Sequence, residues 1–100
     1  MEIKIQSIHF DATEKLEAFI EKKVAKLEKT YEDIQKVEVQ LKVVKPATPE
    51  NTETSLTVNI PGNSPVHVEK VSDKFEEGVD LCVDALRVQL QKIKEKSRNY

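Results

Sequence analysis

Hydrophobic and polar residues alternate along four stretches of the chain. The pattern is almost unbroken over residues 37–44, and it recurs over residues 2–8, 52–60 and 66–69. Because successive side chains of a strand point to opposite faces, each stretch predicts a strand with one buried and one solvated face. The predicted inward positions of the two longest strands are Val37, Val39, Leu41, Val43, Thr54, Leu56, Val58 and Ile60.

A longer stretch, residues 14–31, repeats its apolar side chains at the spacing of an α-helix. Neither glycine nor proline interrupts it, and either Asp11 or Thr13 can cap its first turn. The stretch therefore predicts one amphipathic helix with a single buried stripe. That stripe comprises Leu16, Phe19, Ile20, Val24, Leu27 and Tyr31.

A second helical stretch follows the last predicted strand and extends to about Lys96. Ser72 or Asp73 stands where a helix cap is expected, just before the first apolar residue of the periodic run. The apolar positions again fall on one side, which predicts a helix packed against the sheet. They are Phe75, Val79, Cys82, Val83, Leu86, Leu90 and Ile93.

The elements follow one another in the order β-α-β-β-β-α. A helix separates the first two strands, so we expect these strands to pair in parallel through a right-handed crossover. The loop over residues 45–51, which holds two prolines, and the tight turn over residues 61–63 connect the remaining strands. Since each strand has one apolar face, both helices must cover that face. The prediction is an α+β fold, a two-layer sandwich in which a four-stranded mixed sheet carries two helices on one face.

Composition narrows the class of protein. A length of 100 residues fits one domain, predicted over residues 1–100, with 38% hydrophobic and 34% charged residues. No apolar run is long enough to span a bilayer, and the first residues lack the layout of a signal peptide. The single cysteine excludes an internal disulfide. We therefore expect a cytoplasmic protein with no membrane partner.

Residues typical of catalysis are sparse. The chain has no glycine-rich phosphate loop and no serine elbow. The two histidines, His9 and His67, are interpreted as surface strand residues, and Cys82 as a small core residue on the second helix. We therefore expect no enzyme activity, no metal, no cofactor and no small-molecule substrate.

Charge is segregated around the first helix. At about 100° per residue, four lysines fall within about 60° of one another, and four glutamates fall within a similar arc on the other flank of the buried stripe. A solvated helix face explains such lysines equally well, but Lys22 and Lys26 repel one another at the i,i+4 spacing, which favours an anionic partner. The lysine flank consists of Lys15, Lys22, Lys26 and Lys29.

Charge on the second helix changes along its length. Residues 73–84 carry five acidic side chains and one lysine, whereas residues 85–98 carry five basic side chains and one glutamate. Acid at the start and base at the end complement the helix macrodipole, but that effect is confined to the terminal turns and does not require Arg87 or Lys92. Because the net charge of the whole chain is −2, nucleic-acid binding would depend on this uneven distribution of charge and not on the overall charge.

Two helices on one sheet face can bring their basic edges side by side. Such an arrangement suits a phosphate backbone, since each neutralised phosphate releases counterions. The solvated strand face offers no aromatic residue for base stacking, so contacts from the helices to structured RNA are the better interpretation. The candidate RNA-binding residues are Lys22, Lys26, Lys29, Arg87, Lys92 and Lys94.

The whole chain resembles the short ribosome hibernation promoting factors, a family also called protein Y or ribosome-associated inhibitor A. The order and length of the elements are similar, and residues 25–29 (Ala-Lys-Leu-Glu-Lys) and 39–43 (Val-Gln-Leu-Lys-Val) resemble family segments. The second helix resembles the family at Asp73, Phe75, Asp80, Leu86, Gln89, Leu90, Lys92 and Lys94.

This resemblance implies a fold similar to a double-stranded-RNA-binding domain. It also implies docking in the mRNA and tRNA channel of the small ribosomal subunit, where basic residues of both helices would meet ribosomal RNA. Occupying that channel would silence translation. The residues carried over from the resemblance are Lys22, Lys26, Lys29, Lys92 and Lys94.

Two other interpretations stay open at the level of sequence. A protein-interaction module of the same fold that has lost RNA binding would agree with the net charge of −2 and with Glu76 and Glu77. A small enzyme ranks last, because no titratable cluster presents itself.

Overall fold

The structure, a computed structural model, describes residues 1–8, 10–44 and 51–98, with side chains to Lys96. His9 and residues 45–50 of the predicted loop lie outside this range. Seven elements are present in it, and no helix among the described residues is both long and apolar enough to cross a membrane. They are β1 (Glu2–Ile8), α1 (Glu14–Ala25), α2 (Leu27–Thr30), β2 (Lys36–Val43), β3 (Thr52–Asn59), β4 (Val66–Ser72) and α3 (Phe75–Arg98).

The four strands form one mixed sheet in the order β1-β2-β3-β4. β1 pairs with β2 in parallel, as the intervening helix requires, and the pairs β2–β3 and β3–β4 are antiparallel. The register aligns apolar residues across the sheet in rows, and α1, α2 and α3 pack against that apolar face. One such row is Ile5, Val39, Leu56 and Val68. The predicted two-layer α+β fold is confirmed.

The first helix differs from the prediction at Lys26. In place of one helix over residues 14–31, α1 ends at Ala25 and α2 begins at Leu27. The amide of Lys26 donates to the carbonyl of Lys23, and the amide of Lys29 donates to that of Lys26, both at 3.2 Å. Such i→i−3 bonds tighten the turn. Because Lys26 keeps right-handed helical angles, α2 continues the course of α1.

Different side-chain hydrogen bonds stabilise the first turns of α1 and α3. The Thr13 hydroxyl accepts a hydrogen bond from the Leu16 amide at 3.1 Å, so Thr13, and not Asp11, caps α1. At α3 the Ser72 hydroxyl donates to the Lys74 carbonyl at 2.7 Å. That carbonyl also accepts from the Gly78 amide. α3 therefore begins at Phe75, one residue later than a cap at Asp73 predicts and two later than a cap at Ser72 predicts.

The core lies between the sheet and the helices. It contains Val37, Val39 and Leu41 of β2 and most of the predicted helix stripes, whereas Leu16, Phe19, Tyr31 and Ile93 are only partly buried. Cys82 is fully buried, and its thiol donates to the Thr54 carbonyl at 3.4 Å. Burial raises the pKa of this thiol from 9.0 to about 11. Cys82 is therefore the core residue that the sequence predicts.

α3 approaches β3 closely at Gly78. A Cβ atom on Gly78 would lie 2.5 Å from the Thr54 hydroxyl oxygen and 3.0 Å from that of Ser72. The Thr54 hydroxyl is fully buried and has no hydrogen-bond partner among the described atoms. Glycine is thus required at this position for the separation of the helix and the strand.

Candidate nucleic-acid interface

One side of α1 borders α3 along a seam. Lys15, Leu16 and Phe19 of α1 line a shallow surface groove together with Glu76, from the first turn of α3. One turn further along α3, the Asp80 carboxylate lies 3.0 Å from the Lys23 ammonium group. These contacts place Lys15 and Lys23 at the seam between the two helices.

The seam opens into a groove where α2 meets the last third of α3. This basic groove has a volume of about 300 Å³ and is lined by Lys29, Thr30, Gln91, Lys94 and Glu95. Lys29 and Lys94, two of the predicted site residues, therefore lie on one surface although 65 residues separate them in the chain. A hydroxyl and an amide between two ammonium groups can donate hydrogen bonds to phosphate oxygens.

Arg87 lies next to the basic groove. It lines a shallow depression with Asp84, Val88 and Gln91, and Gln91 also belongs to the basic groove. The guanidinium group is exposed and has the fork geometry that suits phosphate. Arg87 therefore extends the cationic surface towards the middle of α3.

Lys22 and Lys26 are exposed and share the lysine flank with Lys29 by helical spacing. Lys92 is placed differently. Two residues apart on a helix correspond to about 200°, so Lys92 points away from the groove that Lys94 lines. Of the six predicted residues, the structure brings Lys29 and Lys94 into one groove, with Arg87 next to it. Lys22 and Lys26 are placed beside Lys29 by helical spacing alone, and Lys92 lies on the outward side of α3.

The acidic and basic halves of α3 have different charged neighbours at the seam. Among the described side chains, ion pairs join Lys23 to Asp80 and Lys36 to Glu38, and none of the six candidate residues belongs to either pair. Acids of α3 lie beside Lys15 and Lys23 near the start of the seam, whereas cations of both helices meet near its end. Positive charge is therefore concentrated around the basic groove, where Glu95 is the acidic neighbour.

Sequence reasoning missed three members of this surface. Lys23 lies outside the lysine flank by helical angle, and its ammonium group sits 5.5 Å from the centroid of the Phe19 ring as well as beside Asp80. Thr30 and Gln91 are ordinary helix residues, and only the structure shows that they line the groove with Lys29 and Lys94. Their identification required the packing of α2 against α3, which no local pattern encodes.

The open face of the sheet offers a different surface. A polar groove of about 260 Å³ crosses its four strands, and none of the residues that line it is Phe, Tyr or Trp. The Thr57 hydroxyl and the His67 ring nitrogen Nδ1 are 2.8 Å apart, and His67 is exposed as predicted. Among the described residues that line this groove, the His67 imidazole is therefore the one ring available for base stacking. The groove is lined by Lys4, Gln6, Glu38, Val39, Gln40, Ser55, Thr57 and His67.

Two carboxyl groups meet at one end of the open face. A hydrogen bond that protonated Glu53 donates to the side chain of Glu69 raises the pKa of Glu53 above its ordinary value of 4.5, and the positive charge of Lys42 opposes the shift. No set of three or more His, Cys, Asp or Glu side chains is grouped to hold a metal ion in the described part of the chain.

Comparison with known proteins agrees with this architecture. Residues 3–98 match the family described as sigma 54 modulation protein / S30EA ribosomal protein. A ribosome hibernation promoting factor of Pseudomonas putida is 29% identical over 99 residues, which cover 99% of this chain and 92% of that protein.

Two solved structures are also similar. The N-terminal domain of protein Y from Thermus thermophilus superposes with a TM-score of 0.79 at 25% identity, covering 93% of this chain and 99% of that one. A ribosomal subunit interface protein from Coxiella burnetii gives a TM-score of 0.82 at 23% identity, with coverage of 95% and 99%.

Proposed function

Because this chain belongs to the sigma 54 modulation protein / S30EA ribosomal protein family, we propose that it is a ribosome-binding hibernation factor. The observation that carries the proposal furthest is the convergence of Lys29 and Lys94 in one groove. The ligand is the small ribosomal subunit, contacted through the phosphates of its RNA. A ribosome-bound role also places the protein in the cytoplasm.

The basic groove binds the RNA backbone in this proposal. Lys29 and Lys94 approach phosphate oxygens from opposite helices, and Arg87 contacts a neighbouring phosphate. Lys22 and Lys26 continue the contact along the first helix. Such contacts hold a protein on folded RNA without reading its bases, and their strength falls as salt rises. Lys92, on the outward side of α3, is the predicted residue whose loss we expect to matter least.

Binding alone accounts for the effect on translation. A domain seated in the channel for mRNA and tRNA excludes both ligands by occupying their space, so silencing requires no chemical step. The fully protonated Cys82 thiol, enclosed in the core, agrees with a role that uses no nucleophile.

Sedimentation with purified small subunits tests this proposal. We expect the wild-type chain to co-sediment at low and moderate salt, and the double substitution Lys29→Glu/Lys94→Glu to weaken binding at least tenfold with a shallower dependence on salt. The matched control is Lys4→Glu/Lys70→Glu, which makes the same change in charge on exposed strand residues.

The two variants distinguish the groove from overall charge. Equal losses of affinity in both variants would show that net charge, and not the basic groove, governs binding. A wild-type chain that stays at the top of the gradient even at low salt would overturn the ribosomal assignment itself.

A further inference from the structure

The sheet has an open edge at β1, its first strand in spatial order. The Glu2 amide donates to the Gln35 carbonyl at 3.1 Å, so Glu2 and every second residue after it direct their backbone groups towards β2. The backbone groups of the residues between them therefore point away from the sheet, and no strand of the described chain pairs with them. This β1 edge, defined by Ile3, Ile5 and Ser7, is a template on which a further strand can pair.

Glutamates of the first helix, which the proposed function does not use, lie on the same side of the molecule. Lys15 and Lys23 border α3, and the glutamates lie roughly half a turn around the helix from them. Because α3 packs against β3 and β4 whereas α1 packs against β1, the side turned away from α3 lies beside the β1 edge. All four glutamates are exposed, and within the described part of the chain none of them forms an ion pair. This glutamate flank consists of Glu14, Glu17, Glu21 and Glu28.

We infer that the β1 edge binds an extended segment of a partner protein that has a basic residue at every second position. The segment adds to the sheet as an antiparallel strand. Residues hydrogen-bonded to Ile3 and Ile5 then place their side chains on the face of the sheet against which α1 packs. Basic side chains there lay their stems along the half-buried Ile3 and Ile5 and direct their charged ends to the glutamate flank. Main-chain hydrogen bonds supply affinity, and the glutamates select the charge.

The charge of the glutamate flank also disfavours two other occupants of this edge. A second copy of the chain, paired about a two-fold axis through the β1 edges, would bring two glutamate flanks together. An RNA backbone would meet four carboxylates beside that edge, and like charges repel. The basic groove lies between α2 and α3, on the other side of the first helix. The inference therefore goes beyond the proposed function, because it concerns a separate surface and requires no RNA.

Fluorescence anisotropy of a labelled peptide measures this binding. The probe has 7 residues, the length of β1, and alternates lysine with threonine, with lysine at both ends. At about 0.15 M salt, where distant exposed charges are screened, we expect saturable binding that Glu17→Lys/Glu21→Lys weakens at least tenfold. The matched control, Glu69→Lys/Glu77→Lys, makes the same change in charge on exposed residues of β4 and α3 and should alter the affinity less than about threefold. Circular dichroism checks that both variants fold.

Two methylated forms of the peptide test the strand pairing with the wild-type chain alone. Methyl groups on the backbone nitrogens of the lysines remove the donors that face β1, and we expect them to abolish binding. Methyl groups on the backbone nitrogens of the threonines leave those donors in place, and binding should persist. Binding that survives lysine methylation, equal losses in the two charge variants, or no saturable binding up to about 1 mM peptide would each overturn the inference. Since no ribosome is present, none of these outcomes bears on the basic groove.

Discussion

Replacing Gly78 with alanine tests how closely α3 packs against the sheet. In an open helix this substitution stabilises by up to about 1 kcal/mol, because glycine has the greater backbone freedom in the unfolded chain. Here the new Cβ would lie 2.5 Å from the Thr54 hydroxyl oxygen. Forcing extra atoms into a packed interior costs about 1–3 kcal/mol. We expect Gly78→Ala to lower the free energy of unfolding by about 1–2 kcal/mol.

A second substitution identifies the atom responsible. Thr54→Ala removes the hydroxyl that lies nearest to the new Cβ, and the remaining neighbours are the Ser72 oxygen at 3.0 Å and the Cβ of residue 54 at 3.1 Å. The cost of Gly78→Ala should therefore fall by about 1 kcal/mol or more in this background, as coupled sites do. Thr54→Ala alone should cost only about 1 kcal/mol, because losing the buried methyl group is destabilising whereas the hydroxyl that goes with it has no described partner.

Urea unfolding followed by circular dichroism provides the free energies, and Thr57→Ala is the matched control. Thr57 lies on the same strand with its hydroxyl on the opposite face, beside His67. In that background the cost of Gly78→Ala should be unchanged. If Gly78→Ala is as stable as the wild-type chain, or costs the same in all three backgrounds, the close approach does not limit packing.

Two further perturbations address the core thiol and the helix seam. Because the native Cys82 thiol keeps its proton up to about pH 11 and the unfolded thiol loses it near pH 9.0, the native state binds more protons in this window. The free energy of unfolding should therefore be undiminished below pH 9 and fall by about 3 kcal/mol towards pH 11. Urea titrations at each pH should show a flatter decline of this free energy for Cys82→Ala. An equal decline in both proteins would contradict this account. Asp80→Asn should cost only about 0.2–1 kcal/mol, because both partners of its ion pair are partly exposed. By freeing Lys23 at the seam it should tighten binding to the small subunit about two- to threefold in sedimentation assays, whereas Asp33→Asn, which removes an equal charge from an exposed loop, should leave binding unchanged.

Periodicity was sufficient to predict the layers of the fold. Alternation over residues 37–44 and 52–60 placed Val39 and Leu56 on the buried face, where the register pairs them directly. Such patterns work because burial of one face constrains every second residue. The break at Lys26 escaped prediction, since its hydrogen bonds shift by one residue without any glycine or proline to mark the change.

The candidate site was predictable in its parts and not in its assembly. Helical spacing alone grouped Lys22, Lys26 and Lys29, but it says nothing about which element faces them. The proximity of Lys29 to Lys94 depends on how α2 packs against α3. The separation of Lys92 from Lys94 needed no tertiary information, because two residues on one helix differ by about 200°.

The absence of Phe, Tyr and Trp from the polar groove on the described sheet face has a consequence for selectivity. A protein that meets RNA only through cations on its helices responds to the spacing of phosphates and is indifferent to the identity of the nucleotides. Under the proposed function, the phosphate spacing that this protein accepts depends on the gap between α1 and α3, which the ion pair between Lys23 and Asp80 spans. Mutations remote from any RNA contact could therefore change which folded RNA fits before they change how tightly it is held.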